Sequence, residues 1–270
     1  MSPRLFFQVA SIEARSQMSY RVDFWINAVV GFVAHFALMY FLWSAMFTES
    51  GATRIGGYDF HGMLFYYVGV ILFGKIVRGP ELQGGVSTDI YEGGLNRYLV
   101  FPTNYFGFKV AQSLGQLGPA FVQLILLGVV FLLVLPMPDD VRLTPLTLAM
   151  GVTAALAGHL LYFVLGFPLQ CVAFWADNVW SLSVALRFIS SLLGGFLLPL
   201  SIFPTQAQSI LQWLPFRVLY DHPVNVALGR VGPAAWLEGL GLCLLWTLAI
   251  GLVGRAVWRR GSLEYTGVGI

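Results

Sequence analysis

Charge is what this chain has least of. Of 270 residues, 15 are Lys or Arg and 13 are Asp or Glu, 10% together. Soluble domains carry about 25% charged residues. The chain cannot coat a wetted surface, which excludes a soluble globular enzyme and a disordered chain alike. A net charge of +2 is too small for a nucleic-acid binder. Cysteine is nearly missing: Cys171 and Cys243 sit in apolar stretches and read as small core hydrophobes. No CxxC, HExxH or other ligand cluster offers a metal site, and no GxSxG marks a hydrolase. Glu13, Arg15 and Arg21 interrupt the N-terminal stretch, so it does not read as a secretory signal. No catalytic, cofactor-binding or metal-binding residue is assigned.

Apolar residues fill the space that charge leaves. They make up 57% of the chain, aromatics alone 15%, and mean hydropathy is +0.76. A bilayer span needs roughly 20 apolar residues. The pattern predicts an all-α polytopic membrane protein, one transmembrane domain over residues 1–270, with six transmembrane helices. The spans are expected near 24–47, 61–76, 106–135, 145–172, 182–203 and 234–257. Ser2 and Pro3, like Thr144 and Pro145, form an N-cap and first-position pair. Leu5, Val9 and Ile12 share a face opposite Arg4, Gln8, Ser11 and Arg15, which predicts an interfacial helix over residues 1–22. Ten basic residues fall on the side of the termini and four on the other. That bias predicts cytoplasmic termini.

Two polar segments are more informative than the spans. Residues 78–105 are long for a connector. Glycine pairs at Gly84-Gly85 and Gly93-Gly94 bracket Val86 to Glu92, and Ser87, Thr88 and Asp89 are N-cap types. One or two short helices are expected there, forming either a passive connector or a docking surface for a cytoplasmic partner. Residues 204–233 are expected to form an outer re-entrant or interfacial segment. Thr205 and Gln208 have capping-box spacing, and Trp213 and Phe216 suit an interfacial anchor.

Gly69 to Lys75 matches GxxxxGK, but Ile76 stands where a phosphate loop needs Ser or Thr, and the stretch lies in a span. Lys75 reads instead as a snorkelling anchor. Asn27, His35, His159 and Arg187 are the polar residues within spans, and no acid lies in the middle of one. Asp177 is the nearest counter-charge for Arg187, and helix packing accounts for the histidines. His222 beside Asp221 is explained by a turn before Pro223.

Three stretches carry a family resemblance: Asp89-Ile-Tyr-Glu-Gly-Gly-Leu-Asn-Arg-Tyr-Leu-Val-Phe-Pro102, Phe174-Trp-Ala-Asp-Asn-Val-Trp180, and Gly194 to Pro204 continuing to Leu214-Pro-Phe216 and Tyr220-Asp-His-Pro223. The chain resembles an ABC-2 type permease of the six-span bacterial branch, with type V exporter-like architecture. Asn96 stands where an Asp is common in that branch. The resemblance implies an exporter permease in the bacterial inner membrane that pairs with a second permease, as a homodimer or a heterodimer. It also implies docking of ATP-binding cassette ATPase subunits, two per assembly, which would bind the ATP and Mg. Asp89, Tyr91, Glu92, Asn96 and Arg97 would form the ATPase-docking loop, and Asp177 with Arg187 an intramembrane pair. The alternative is a secondary transporter or channel without an ATPase, which would need a coupling-ion site and inverted repeats. A membrane enzyme acting on lipid is a third reading and lacks a motif.

Overall fold

The computed structural model describes residues 2–17, 21–79, 85–100 and 104–265. Gly84, Phe101 and Pro102 of the stretches above lie outside these residues, as do residues 18–20 of the expected interfacial helix. The side chain of Asn27 is likewise not described. Among the described residues the secondary structure is helical, with one isolated bridge between Ile55 and Tyr58.

The helices are α1 (Pro3–Gln17), α2 (Arg21–Ser50), α3 (Phe60–Arg78), α4 (Gly85–Tyr91), α5 (Leu95–Val100), α6 (Tyr105–Gly115), α7 (Gly118–Val134), α8 (Pro145–Cys171), α9 (Trp180–Leu193), α10 (Thr205–Leu211), α11 (Asp221–Ala227) and α12 (Pro233–Glu264). Five stretches are long and apolar enough to cross a membrane: Val29–Ser50, Phe60–Arg78, Tyr105–Val134, Pro145–Phe174 and Pro233–Glu264. A sixth, α9, is shorter, and the chain is an all-α polytopic bundle. α1, α4, α5 and the end of α12 gather at one end, called the basic end below. Residues 51–59 and 135–144 lie at the opposite end.

The caps follow local chemistry. Leu5 N donates to Ser2 Oγ (3.4 Å) and Gly62 N to Asp59 Oδ1 (3.0 Å). At α8, Thr144 and Thr147 complete a reciprocal capping box ahead of Pro145. Thr205 does not cap α10. It is already helical, and Gln208 Nε2 donates to the carbonyls of Phe203 (2.7 Å) and Ser201 (3.1 Å). α4 takes its cap from another helix: Val86 N donates to Gln170 Oε1 of α8 (3.0 Å), not to Ser87, Thr88 or Asp89.

The expected third span is two helices. Pro119 has no N–H to offer the carbonyl of Gly115, so the ladder breaks between α6 and α7. α1 lies along α6, with Ala10 backbone pressed on Gly115, and Glu13 accepts from Gln116 Nε2 (2.8 Å) and Gln112 Nε2 (3.2 Å). Leu5, Phe6, Val9 and Ala10 are half-buried, whereas Ile12, assigned to that face, is exposed.

The fifth span needs a larger correction. α9 has 14 residues and stops at Leu193, ten short of the expected Phe203. At 1.5 Å per residue it rises about 21 Å, less than the roughly 30 Å hydrocarbon core. Gly195 at φ +90° turns the chain. Ser191 carbonyl accepts from Phe196 N and Leu197 N, and Gly194 carbonyl accepts from Asp221 N (2.9 Å).

Candidate functional site

The docking segment is built on a buried carboxylate. Asp89 Oδ2 pairs with Lys109 Nζ of α6 at 2.7 Å and accepts from Tyr105 Oη at 2.7 Å. Arg97 of α5 approaches Asp89 Oδ1 at 3.5 Å, and Lys109 Nζ also donates to Gly85 carbonyl at 3.2 Å. Val86, Ile90 and Leu95 are buried against Phe167, Cys171, Phe174 and Val179. Below them Tyr105 stacks on Trp258 of α12, with centroids 4.6 Å apart and planes at 10°. Tyr91 Oη donates to Ala176 carbonyl (2.8 Å), tying α4 to the turn before α9. Burial, and then the Asp177 carboxylate, raise the Tyr91 hydroxyl above its ordinary pKa. Trp175 Nε1 donates to Glu264 Oε2, tying that turn to the end of α12.

The five residues assigned to this loop therefore divide. Asp89 is buried and engaged within the chain, and Tyr91 is half-buried. Glu92, Asn96 and Arg97 are exposed, as is Thr88. Asp177 lies in the exposed turn before α9. Arg187 is half-buried in α9, where its carbonyl accepts from Ser190 Oγ (3.0 Å) and Ser191 Oγ (2.6 Å).

A second arrangement lies in the bundle. Residues 212–228 form a hairpin whose return limb, α11, is buried between α3 and α8. Glycines receive it. A Cβ at Gly69 would stand 2.7 Å from Val224 Cγ1, and one at Gly151 would stand 2.6 Å from Ala227 Cβ. Gly74 meets Tyr220 and Phe196, and Gly158 meets the Val218 carbonyl. Gly62 faces Arg230, so the limb follows α3 for 12 residues, about 18 Å. The supposed phosphate loop is thus helical, and its glycines Gly69 and Gly74 are packing notches.

The hairpin carries a half-buried acid into the bundle. Tyr66 Oη donates to Gly195 carbonyl (2.7 Å) and lies 3.1 Å from Asp221 Oδ1. Asn225 joins them: its Nδ2 donates to Asp221 carbonyl (2.9 Å) and its Oδ1 accepts from Tyr58 Oη (3.0 Å). A polar cavity of about 420 Å³, bordered by Tyr58, Gln208, Arg217, Asp221 and Asn225, leads to this group. Arg230 covers the Tyr58 ring at 3.9 Å and pairs with Asp140 at 2.7 Å. His222 packs on Gly239 of α12 instead, so the adjacent His222 and Asp221 point to different elements.

Arg78 reaches the same hairpin from the basic end. It donates to Ser191 Oγ (2.7 Å) and Tyr220 Oη (3.0 Å), with its guanidinium 4.2 Å over the Phe196 ring. Lys75 does not snorkel outward; Nζ donates to Gln123 Oε1 of α7 at 2.6 Å. His159 has the packing role expected, between Ser113 Oγ (2.6 Å) and Val77 carbonyl (3.1 Å). The carbonyl takes the Nδ1 proton, which leaves Nε2 to accept from the serine. Both cysteines are free and buried.

Sequence reasoning placed no acid in the interior and so missed Asp221 with Tyr66 and Asn225. A signal existed. Gly62 and Gly69 are seven apart on α3, as are Gly151 and Gly158 on α8, and such pairs line one helix face where another backbone approaches.

A family model described as ABC-2 family transporter protein matches residues 33–269, from within α2 to the penultimate residue. Neither the curated proteins nor the solved structures give a match.

Proposed function

Because the chain belongs to the ABC-2 family of transporter proteins, we propose that it is the membrane permease of an ATP-driven exporter, with hydrolysis carried out by a separate ATPase. The observation that carries this reading is the helical pair α4–α5. Its outer face presents Thr88, Glu92, Asn96 and Arg97, while its inner face is fastened to α6, α8, α12 and the turn before α9. A partner pressing on this pair would act on several spans together. Closure of the motor would then bias the bundle between two arrangements.

A second permease, identical or related, completes the reading. Trp180, Val184 and Phe188 are exposed along α9, and the irregular backbone after Gly194 packs alongside the α3 span, at Tyr66 and Gly74. Lipid cannot satisfy irregular backbone, so protein or a water-filled path must cover it. The assembly then holds two permeases and two ATPases, with the basic end and both termini cytoplasmic in a bacterial inner membrane.

The test replaces Ser87 to Glu92 by Gly-Ser residues and measures membrane abundance, ATPase co-purification and transport in vesicles. Normal abundance with loss of both other readouts supports docking. Unchanged binding and transport would make the segment a passive connector. Impermeant labelling of a cysteine at Ser262 in intact cells would reverse the orientation. The half-buried Asp221, bordering the polar cavity, gives the alternative, an ATP-independent carrier, a foothold. Transport that persists without ATPase and is lost in Asp221→Asn would favour that alternative.

A further inference from the structure

One feature of the basic end is unused by docking or by the hairpin. A groove of about 1100 Å³ opens sideways between α6, α8 and α12, at the upper end of the size of ligand sites. Its walls away from the basic end are apolar, from Val110, Leu160, Val164, Leu248 and Leu252, the last two largely exposed. Its rim toward the basic end is polar and cationic, from Tyr98, Asn104, Arg255 and Arg259.

The α12 side of the groove is one ridge. Thr247, Gly251, Arg255 and Arg259 recur every four residues, so they stack on one face, small along the apolar walls and cationic toward the basic end. Two like charges four apart on a helix repel. Both arginines are exposed, and among the described residues no carboxylate lies within ion-pair distance of either. The glycine keeps the trough open: a Cβ at Gly251 would find only Val164 Cγ1, at 3.9 Å. A cation pair at the mouth of an apolar, laterally open trough between spans suits a ligand with an anionic head and an apolar tail.

We propose that this groove is a binding site for one anionic phospholipid, its acyl chain in the trough bounded by α6, α8 and α12 and its phosphate at Arg255 and Arg259. Tyr105, stacked on Trp258 behind the rim, donates the hydroxyl that supports Asp89. Lipid in the groove therefore braces the α4–α5 pair against α12, and occupancy is linked to the order of that pair.

The test is native mass spectrometry of the full chain released from vesicles of equal phosphatidylglycerol and phosphatidylcholine. The wild type retains one phosphatidylglycerol per chain. Arg255→Ser with Arg259→Ser lowers the preference for phosphatidylglycerol over phosphatidylcholine roughly 30-fold, the combined effect of two basic residues at a lipid surface. Arg255→Lys with Arg259→Lys keeps the preference within about threefold, since a point charge suffices for a phosphate. Gly251→Phe fills the trough and releases lipid of either kind. An unchanged lipid ratio in the double serine variant would overturn the proposal. Displacement by glycerol phosphate would also overturn it, by showing a site for a free anion. So would loss of ATPase binding in the serine variant with the lipid ratio intact, which assigns the arginines to a protein partner.

Discussion

Replacing Lys109 by Met should unfasten the α4–α5 pair. The Lys109 side chain is 5% exposed and that of Asp89 9%, with 2.7 Å between their charged atoms. Without Lys109 the carboxylate keeps the Tyr105 hydroxyl and Arg97, but Arg97 stands at 3.5 Å with 65% of its side chain exposed, where solvent weakens it. Removing one partner of a buried ion pair costs about 3–5 kcal/mol. Even the lower figure corresponds to roughly 150-fold in an opening equilibrium. Hydrogen exchange over residues 85–100 in detergent should therefore quicken about 100-fold or more, while α8 and α12 keep their protection. Replacing the whole network by apolar groups of similar size, Asp89→Leu, Tyr105→Phe and Lys109→Met together, leaves no orphaned charge. That variant should recover protection to within about tenfold of the wild type. The reasoning fails if Lys109→Met alone exchanges within threefold of the wild type, or if the triple variant is looser than the single one.

Glu92→Lys should leave insertion normal and reduce ATPase co-purification more than Glu92→Ala, because the residue is exposed on the outer face of the pair; equal effects would remove Glu92 from the interface. Gly151→Val places a Cβ 2.6 Å from Ala227 Cβ and overpacks the notch, costing about 1–3 kcal/mol. A cysteine at Asn225 should then label faster from the opposite end, and unchanged labelling would show that the hairpin is not seated by this glycine. Tyr66→Phe removes the donor shared by Gly195 carbonyl and Asp221, a loss of about 1–3 kcal/mol. The apparent thermal midpoint in detergent should fall, and an unaltered midpoint would mean that water replaces the hydroxyl.

Asp221 shows where sequence reading runs out. Membrane class, five of the spans and the caps at Ser2 and Thr144 were legible because hydropathy and capping are local properties, read within one or two helical turns. The decoy at Gly69 to Lys75 was also excluded locally, by Ile76. The two ends of α9 show the limit. Its start follows the polar turn at Asp177 and Asn178, as the composition suggests, but its stop at Leu193 does not. Residues 196–203 are as apolar as a span, and nothing in hydropathy separates them from one. The stop depends on Gly195 at φ +90° and on Asp221 N, 26 residues further on, capturing the Gly194 carbonyl.

The docking residues divide on the same principle. Composition marked residues 78–105 as polar and glycine-bracketed, and it marked Asp89, Glu92 and Arg97 alike as charges on a short helix. Only the approach of Lys109 and Tyr105, brought by α6, buries Asp89 and leaves Glu92 in the open. The sequence by itself determined that the chain lives in a membrane and where its long helices run, because burial of apolar surface depends on how much of it each stretch carries. The tertiary structure alone decided which charges face inward. A buried charge is tolerated only where a partner from a distant part of the chain meets it, and that meeting is a property of the packed helices.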